Sequence, residues 1–364
     1  MPKPTIDAAP AADRPNVMTG ARKQISYIGG YIDPGFDRTI EACADLCLVR
    51  IDKSQPFDVL HNTLAASHAI QIDSARLDIP EHLRISRAFL AQCPQILVVS
   101  ASGAGYDAID VAACTEAGVV AVNQTGGNRE AVGEHTLAMM LSLTKRIGET
   151  DKALRAGGVV DRIAYMGDDL YGKTVGIVGF GNTGTRVAEL CSGLFALTVL
   201  AYDPYVGENA MTARGARKVE LDALLQAADF VSLHCPLTDE TTGMIGRREY
   251  ALMKKGAFFV TAARGGIHDE MALYEALKSG HLAGAGVDVW EQEPPPADHP
   301  LLSLANVIAS PHTAGVTHAA RRRLALMAAE QLIDILRGGR PQRMLNPEVL
   351  PRFQERFAKA LGHA

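Results

Sequence analysis

From about residue 25 onward, short apolar blocks alternate with stretches of helical periodicity. ISYI (25–28) and CPQILVVS (93–100) read as strands, and VVAVN (119–123) follows after the helical stretch DVAACTEAG. Short apolar runs alternating with helices imply a parallel sheet joined by right-handed crossovers. From Asn128 a long helical pattern runs through REAVGEHTLAMMLSLTKRIGETDKAL, with Asn128 at the N-cap position and Glu130 in the first turn.

A second alternation then begins. TVGIVGF (174–180) predicts a strand and TRVAELCSGL (185–194) a helix with Val187, Leu190, Cys191 and Leu194 on one face. The strands LTVLAYD (197–203), DFVSLH (229–234), AFFVTAA (257–263), AGAGVDVW (283–290) and NVIAS (306–310) follow. The helices LDALLQAA and DEMALYEALKSG separate some of them, and THAARRRLALMAAEQLIDILRGG closes the pattern at Gly338-Gly339. Two α/β units in 364 residues match the prior that a chain this long divides its core.

Charge narrows the partners. A net charge of −5 leaves no basic field for nucleic acid or an anionic membrane. The run Arg321-Arg322-Arg323, in a predicted helix, reads as a solvated or interface face. No apolar run approaches the roughly 18 to 20 residues that a membrane span needs. The start, MPKPTIDAAPAADRPNVMTG, reads as a disordered leader over residues 1–20 and not as a secretory signal, so a cytoplasmic protein is expected. The six cysteines are scattered, which suits free thiols in a reducing compartment. His234-Cys235 has no second pair at ligand spacing, so no metal is expected.

GIVGFGNTG (176–184) places Gly179, Gly181 and Gly184 at G-x-G-x-x-G spacing between a strand and an amphipathic helix. In that context the first glycine allows the tight turn, the second admits a pyrophosphate to the backbone, and the third lets helix and strand pack closely. Asp203 closes the next strand, 19 residues beyond Gly184, where a carboxylate binds the ribose hydroxyls and repels a 2′-phosphate. No Arg or Lys follows it directly, so NAD is favoured over NADP.

Ligands bind beyond the carboxyl ends of the strands in open α/β sheets, and three such ends carry polar residues. Arg264 in VTAARGG suits a carboxylate or polarised carbonyl; alone, such an Arg is more often a surface ion pair. VDVWEQEPP carries Asp288, Glu291 and Glu293, and SPHTAG carries His312. A carboxylate beside a histidine keeps an imidazolium available near neutral pH, but spacing alone does not pair Glu293 with His312.

The order of motifs SASGAGYDAID, GGNREAVGEHT, GIVGFGNTG, VSLHCPLTDETTGMI, TAARGGIHD, GVDVWEQEP and ASPHTAG resembles that of the D-isomer-specific 2-hydroxyacid dehydrogenases. The motifs span about residues 98 to 318, and the two-unit organisation extends the likeness from about 25 to 346. The resemblance implies two doubly wound parallel-sheet α/β domains with a cleft between them. One is a flavodoxin-like substrate domain, discontinuous over 21–125 and 313–364; the other is a Rossmann NAD-binding domain over 126–312. It implies Arg264, Glu293 and His312 as the catalytic set, His312 being the acid/base that exchanges a proton with the substrate oxygen. Cofactor contacts are implied at Gly179, Gly181, Asn182, Thr183, Gly184, Asp203, Cys235, Pro236, Thr241, Ala262, Asp288 and His312. Gly103, Ala104 and Gly105 match the loop that cradles the substrate carboxylate, with Asn128 and Arg264 beside it.

The reaction implied is interconversion of a D-2-hydroxy acid and its 2-oxo acid with NAD, in a homodimer. Glu134-His135 would be interior or interface residues of the connecting helix. Asn182-Thr183 replaces the Arg-plus-aliphatic pair common in the family's glycine loop, which removes a pyrophosphate salt bridge. A phosphorylated substrate would call for further basic residues, with Arg129 and Lys53 as candidates. After Asn346-Pro347 only a short tail is expected, too short for a regulatory domain. The competing class is an NAD(H)-sensing, corepressor-like binding protein with little turnover.

Overall fold

The computed structural model describes residues 22–157 and 161–362, so the leader expected over 1–20 lies outside the described residues. Strands β1 (Lys23–Ile28), β2 (Leu46–Ile51), β3 (Ala69–Ile72), β4 (Val98–Ala101) and β5 (Val120–Val122) form one parallel sheet, ordered β2-β1-β3-β4-β5. That is the flavodoxin-like order. β3, β4 and β5 are buried along their whole length, as strands covered by helices on both faces must be.

The second sheet contains β6 (Thr174–Val178), β7 (Thr198–Tyr202), β8 (Arg217–Lys218), β9 (Phe230–Leu233), β10 (Phe258–Thr261), β11 (Gly284–Val287) and β12 (Val307–Ala309). It too is parallel, ordered β12-β11-β10-β9-β6-β7-β8. The strand order reverses beside β6, and a doubly wound sheet opens its ligand crevice at such a switch point.

Two helices cross between the sheets' cores. The helix Arg129–Thr144 packs Leu137, Met140 and Leu143 against Val175, Ile177 and Phe180 of the second unit. The helix His318–Leu336 returns to the first, where Ala328, Leu332 and Ile335 meet Ile25, Val98 and Val120. Both apolar faces are therefore buried within the chain.

Strands β2, β3 and β8 were not among those expected, and two helical segments also differ from the sequence pattern. The helix expected to run from Arg129 to Leu154 breaks at Arg146, whose φ is +53°, and resumes as Ile147–Ala156. The Arg146 guanidinium pairs with Glu149 and donates to the Ala164 carbonyl, while the second helix buries no residue that would hold it in line with the first. The expected short tail folds as a helix, Leu350–Leu361, with Phe353 and Phe357 buried in the first unit's core. Their i, i+4 spacing was the available signal.

Candidate active site

The glycine loop has the shape that a dinucleotide requires. Gly179 adopts φ +91°, and a Cβ there would stand 2.5 Å from the Cys235 nitrogen. A Cβ on Gly184 would stand 2.1 Å from the Gly179 carbonyl oxygen, so the helix Asn182–Phe195 starts in direct contact with the turn. Nothing lies within 4 Å of the corresponding point on Gly181, which leaves the helix N-terminus open to an anion.

Asp203 closes this groove. Its Oδ2 accepts from the Phe180 N–H at 2.8 Å and Oδ1 from the Tyr205 N–H at 2.9 Å, so the carboxylate is fixed and each oxygen keeps a lone pair. Asn182 is exposed and donates to Thr125 Oγ1 at 3.2 Å, across to the segment after β5. Thr183 is half-buried in the helix's first turn. In the loop after β9, Thr241 Oγ1 donates to the Pro236 carbonyl at 2.7 Å. Burial, with the Asp203 charge adding to it, pushes the Cys235 thiol up to about 11, so this sulfur is a packing group and not a nucleophile.

A cleft of about 620 Å³ opens between the two sheets' carboxyl ends. His312 and Glu293, 19 residues apart, meet in it: Nδ1 stands 2.8 Å from Glu293 Oε2. Burial raises the Glu293 carboxyl. The hydrogen bond and charge of His312, the Trp290 N–H at 3.1 Å and the charge of Arg264 outweigh that burial and hold it below the ordinary carboxylate range. An ionised Glu293 can only accept, so Nδ1 carries a hydrogen in either ring state. The exchangeable proton therefore sits on Nε2, which has no partner among the described residues.

Arg264 enters from the end of β10 and faces the loop after β4. Its Nη1 donates to the Ala263 carbonyl at 2.8 Å, and Nε lies 3.5 Å from Asp107 Oδ2. A Cβ on Gly105 would fall 2.1 Å from Nη2, so the guanidinium rests directly on that loop. Gln124 N–H donates to the Gly103 carbonyl and Asn123 Nδ2 to the Ala104 carbonyl. The N–H groups of Gly103, Ala104 and Gly105 have no acceptor among the described residues. Three free N–H groups beside a guanidinium make an anion cradle.

Asn128 lines the cleft at the helix N-cap, where its side chain makes no capping bond. Ala262 lines it as well, and Asp288 is fully buried beneath the His312 loop. Gly103 to Gly105, Asn128, Arg264, Glu293 and His312 thus share one cavity, while the glycine loop and Asp203 form the groove outside it. Glu134 is exposed, whereas His135 is half-buried and bonded to Ser310. Arg129 pairs with Glu130, away from the cavity.

Sequence reasoning missed part of the cleft wall. Tyr31, Asp73 and Leu77 line it with no motif to announce them. Arg321, from the run read as a solvated or interface face, also lines the cleft, and so does Lys53, the candidate for a phosphorylated substrate. Neither cation has a carboxylate partner among the described residues; Lys53 Nζ donates to the Asp78 carbonyl at 2.8 Å.

Comparison with known proteins agrees with this geometry. Residues 137–314 match the family model described as the NAD-binding domain of D-isomer-specific 2-hydroxyacid dehydrogenases. The crystal structure of a glyoxylate reductase from Paecilomyes thermophila superposes with a TM-score of 0.79 at 26% identity, over 90% of this chain and 99% of that one. The Aquifex aeolicus D-lactate dehydrogenase complexed with NAD and lactic acid gives a TM-score of 0.73 at 26% identity, over 91% of this chain and 98% of that one. A D-3-phosphoglycerate dehydrogenase of Archaeoglobus fulgidus is 39% identical over 255 residues, 70% of this chain. The chain spans about half the length of such relatives, 48% of this one and 54% of another from Methanocaldococcus jannaschii. A glyoxylate reductase of Korarchaeum cryptofilum is 41% identical over 270 residues, 72% of this chain and 80% of that one. With a glycine groove and the His312–Glu293 pair in one chain, this likeness shows that the chain belongs to the D-isomer-specific 2-hydroxyacid dehydrogenase family.

Proposed function

We propose that the protein interconverts a small D-2-hydroxy acid and its 2-oxo acid, with residues 126–312 holding NAD and residues 21–125 with 313–364 holding the substrate. The observation that carries this reading is the 2.8 Å contact between His312 Nδ1 and Glu293 Oε2, in the same cavity as Arg264 and the free N–H groups of Gly103 to Gly105. Bound in the groove, reduced NAD supplies a hydride to C2 of the oxo acid. The substrate carboxylate rests on the three N–H groups, and Arg264 polarises the C2 carbonyl as its oxygen gains charge. His312 gives the Nε2 proton to that oxygen, while Glu293 orients the ring. In oxidation the same groups run in reverse.

The test is oxidation of NADH at 340 nm with a panel of 2-oxo acids, wild type beside His312→Ala. Turnover that His312→Ala abolishes supports the reading; tight NADH binding without turnover would favour a sensing, corepressor-like protein. A phosphoglycerate-dehydrogenase-like substrate is the second reading. Lys53 and Arg321, which line the cleft without carboxylate partners among the described residues, support it, whereas Asp73 and Asp78 in the same lining oppose it. The balance favours an oxo acid without a phosphate.

A further inference from the structure

The loop that carries His312 is strained, because His312 has φ +54° and a side chain with a Cβ disfavours that region. Such a conformation persists only when its surroundings over-determine it. The surroundings here converge on Asp288, whose carboxylate is fully buried. Its backbone carbonyl accepts from the His312 N–H at 2.7 Å. Its Oδ1 accepts from the Thr313 N–H at 2.8 Å and its Oδ2 from the Ala314 N–H at 3.0 Å. The two residues after His312 thus hang on one carboxylate.

That carboxylate is itself held from a distance. Ser310 Oγ donates to Asp288 Oδ1 at 2.5 Å. A hydroxyl has one hydrogen, so Ser310 must accept from His135 Nε2, 3.0 Å away. His135 Nε2 is also 3.7 Å from Asp288 Oδ1, which completes a triangle of polar atoms. His135 belongs to the helix Arg129–Thr144, whose apolar face is locked into the second unit's core. The line from helix to His135, Ser310, Asp288 and the His312 loop is therefore continuous.

We propose that His135 and Ser310 are positioning residues for the reaction, holding Asp288 and through it the His312 loop in its strained, productive conformation. Neither touches the reacting atoms. The inference rests on the functional reading above. Loss of the Ser310 hydroxyl would remove the one side-chain hydrogen bond to Asp288 among the described residues and leave its carboxylate held only by the Thr313 and Ala314 N–H groups of the loop it braces. A displacement of the imidazole by about 1 Å is enough to cost on the order of a hundredfold in rate.

The experiment combines steady-state kinetics with amide hydrogen exchange on Ser310→Ala, His135→Leu and the conservative Ser310→Thr. The expected result in the first two is exchange of the Thr313 and Ala314 amides faster by about tenfold. With it, kcat falls by about ten- to a hundredfold, while the Kd for NADH stays within about twofold and Tm is unchanged. Ser310→Thr, which keeps the hydroxyl, restores most of kcat. The double variant Ser310→Ala/His135→Leu loses little more than the worse single one, because both act through one contact chain. Unchanged protection of the two amides overturns the proposal, and so does faster exchange with wild-type kcat. If wild type reduces no 2-oxo acid, the functional reading fails, and the exchange arm still judges the brace by itself.

Discussion

The two walls of the cleft are built on different physical plans. The glycine groove is built mainly from backbone at a strand end: Gly179 and Gly184 sit where a Cβ would collide with the turn, and Gly181 leaves the helix N-terminus open. The wall of the cleft is instead made of side chains from separate segments, with Tyr31, Lys53, Asp73, Leu77 and Arg321 drawn together from residues that span most of the chain. A backbone site demands a fixed local spacing, because one turn must do everything. A side-chain wall only demands that several loops end at one place. The first plan leaves a motif, and the second leaves none.

That contrast can be broken or sharpened by experiment. The largest effect is expected at the junction of the walls: His312→Ala lowers kcat by about a thousandfold at neutral pH, in steady-state assays with the preferred oxo acid. Arg264→Ala follows, with kcat/KM down about a hundredfold. Arg264→Lys recovers little of it, because a point charge cannot replace the planar guanidinium seated on Gly105. A recovery above about half would assign Arg264 a charge role only.

Acid is expected to attack the cofactor half through His268, which is 1% exposed and bonded through Nδ1 to the Tyr250 hydroxyl. Burial lowers its pKa from the ordinary 6.5 to about 4. The unfolded chain then takes up this proton first as pH drops, so stability is kept above pH 6.5 and lost between there and 4. Between pH 8 and pH 5 this group alone removes about 2 kcal/mol of unfolding free energy, read from urea titrations. His268→Gln should flatten that slope.

Smaller effects separate the two walls directly. Asp203→Ala should narrow the preference for NADH over NADPH by about tenfold while leaving the KM for the oxo acid unchanged. Conversely, Lys53→Met and Arg321→Met should each change kcat/KM by about fivefold, only for oxo acids with a second anionic group, and leave NADH binding alone. If Asp203→Ala moved the oxo acid KM as well, the two walls would be coupled and the division between them too simple.

The sequence was legible where backbone periodicity or a tight turn leaves a local record. Six of the second sheet's seven strands, all but the two-residue edge strand β8, were readable as candidates, as were the glycine loop with Asp203 and the strand-end residues Arg264, Glu293 and His312. It was less legible where one residue reverses the backbone, as at Arg146, or where a short amphipathic segment gains its helix only by docking, as at Leu350–Leu361. Arg321 shows the same limit from the other side: a run of three arginines reads as a solvated or interface face, yet helical geometry turns one of them into the cleft.

By itself, then, the sequence determined the two α/β units, the parallel sheets and a dinucleotide groove, because periodicity, glycine spacing and strand ends are properties of neighbouring residues. Only the tertiary structure decided that Glu293 meets His312, that Arg264 rests on Gly105 and that His135 reaches Asp288 through Ser310. Those contacts join segments 19 to 175 residues apart; the pairs of Glu293 with His312 and of His135 with Ser310 depend on how strand ends and helix pack within the second unit, and only Arg264 on Gly105 depends on how the two cores face each other.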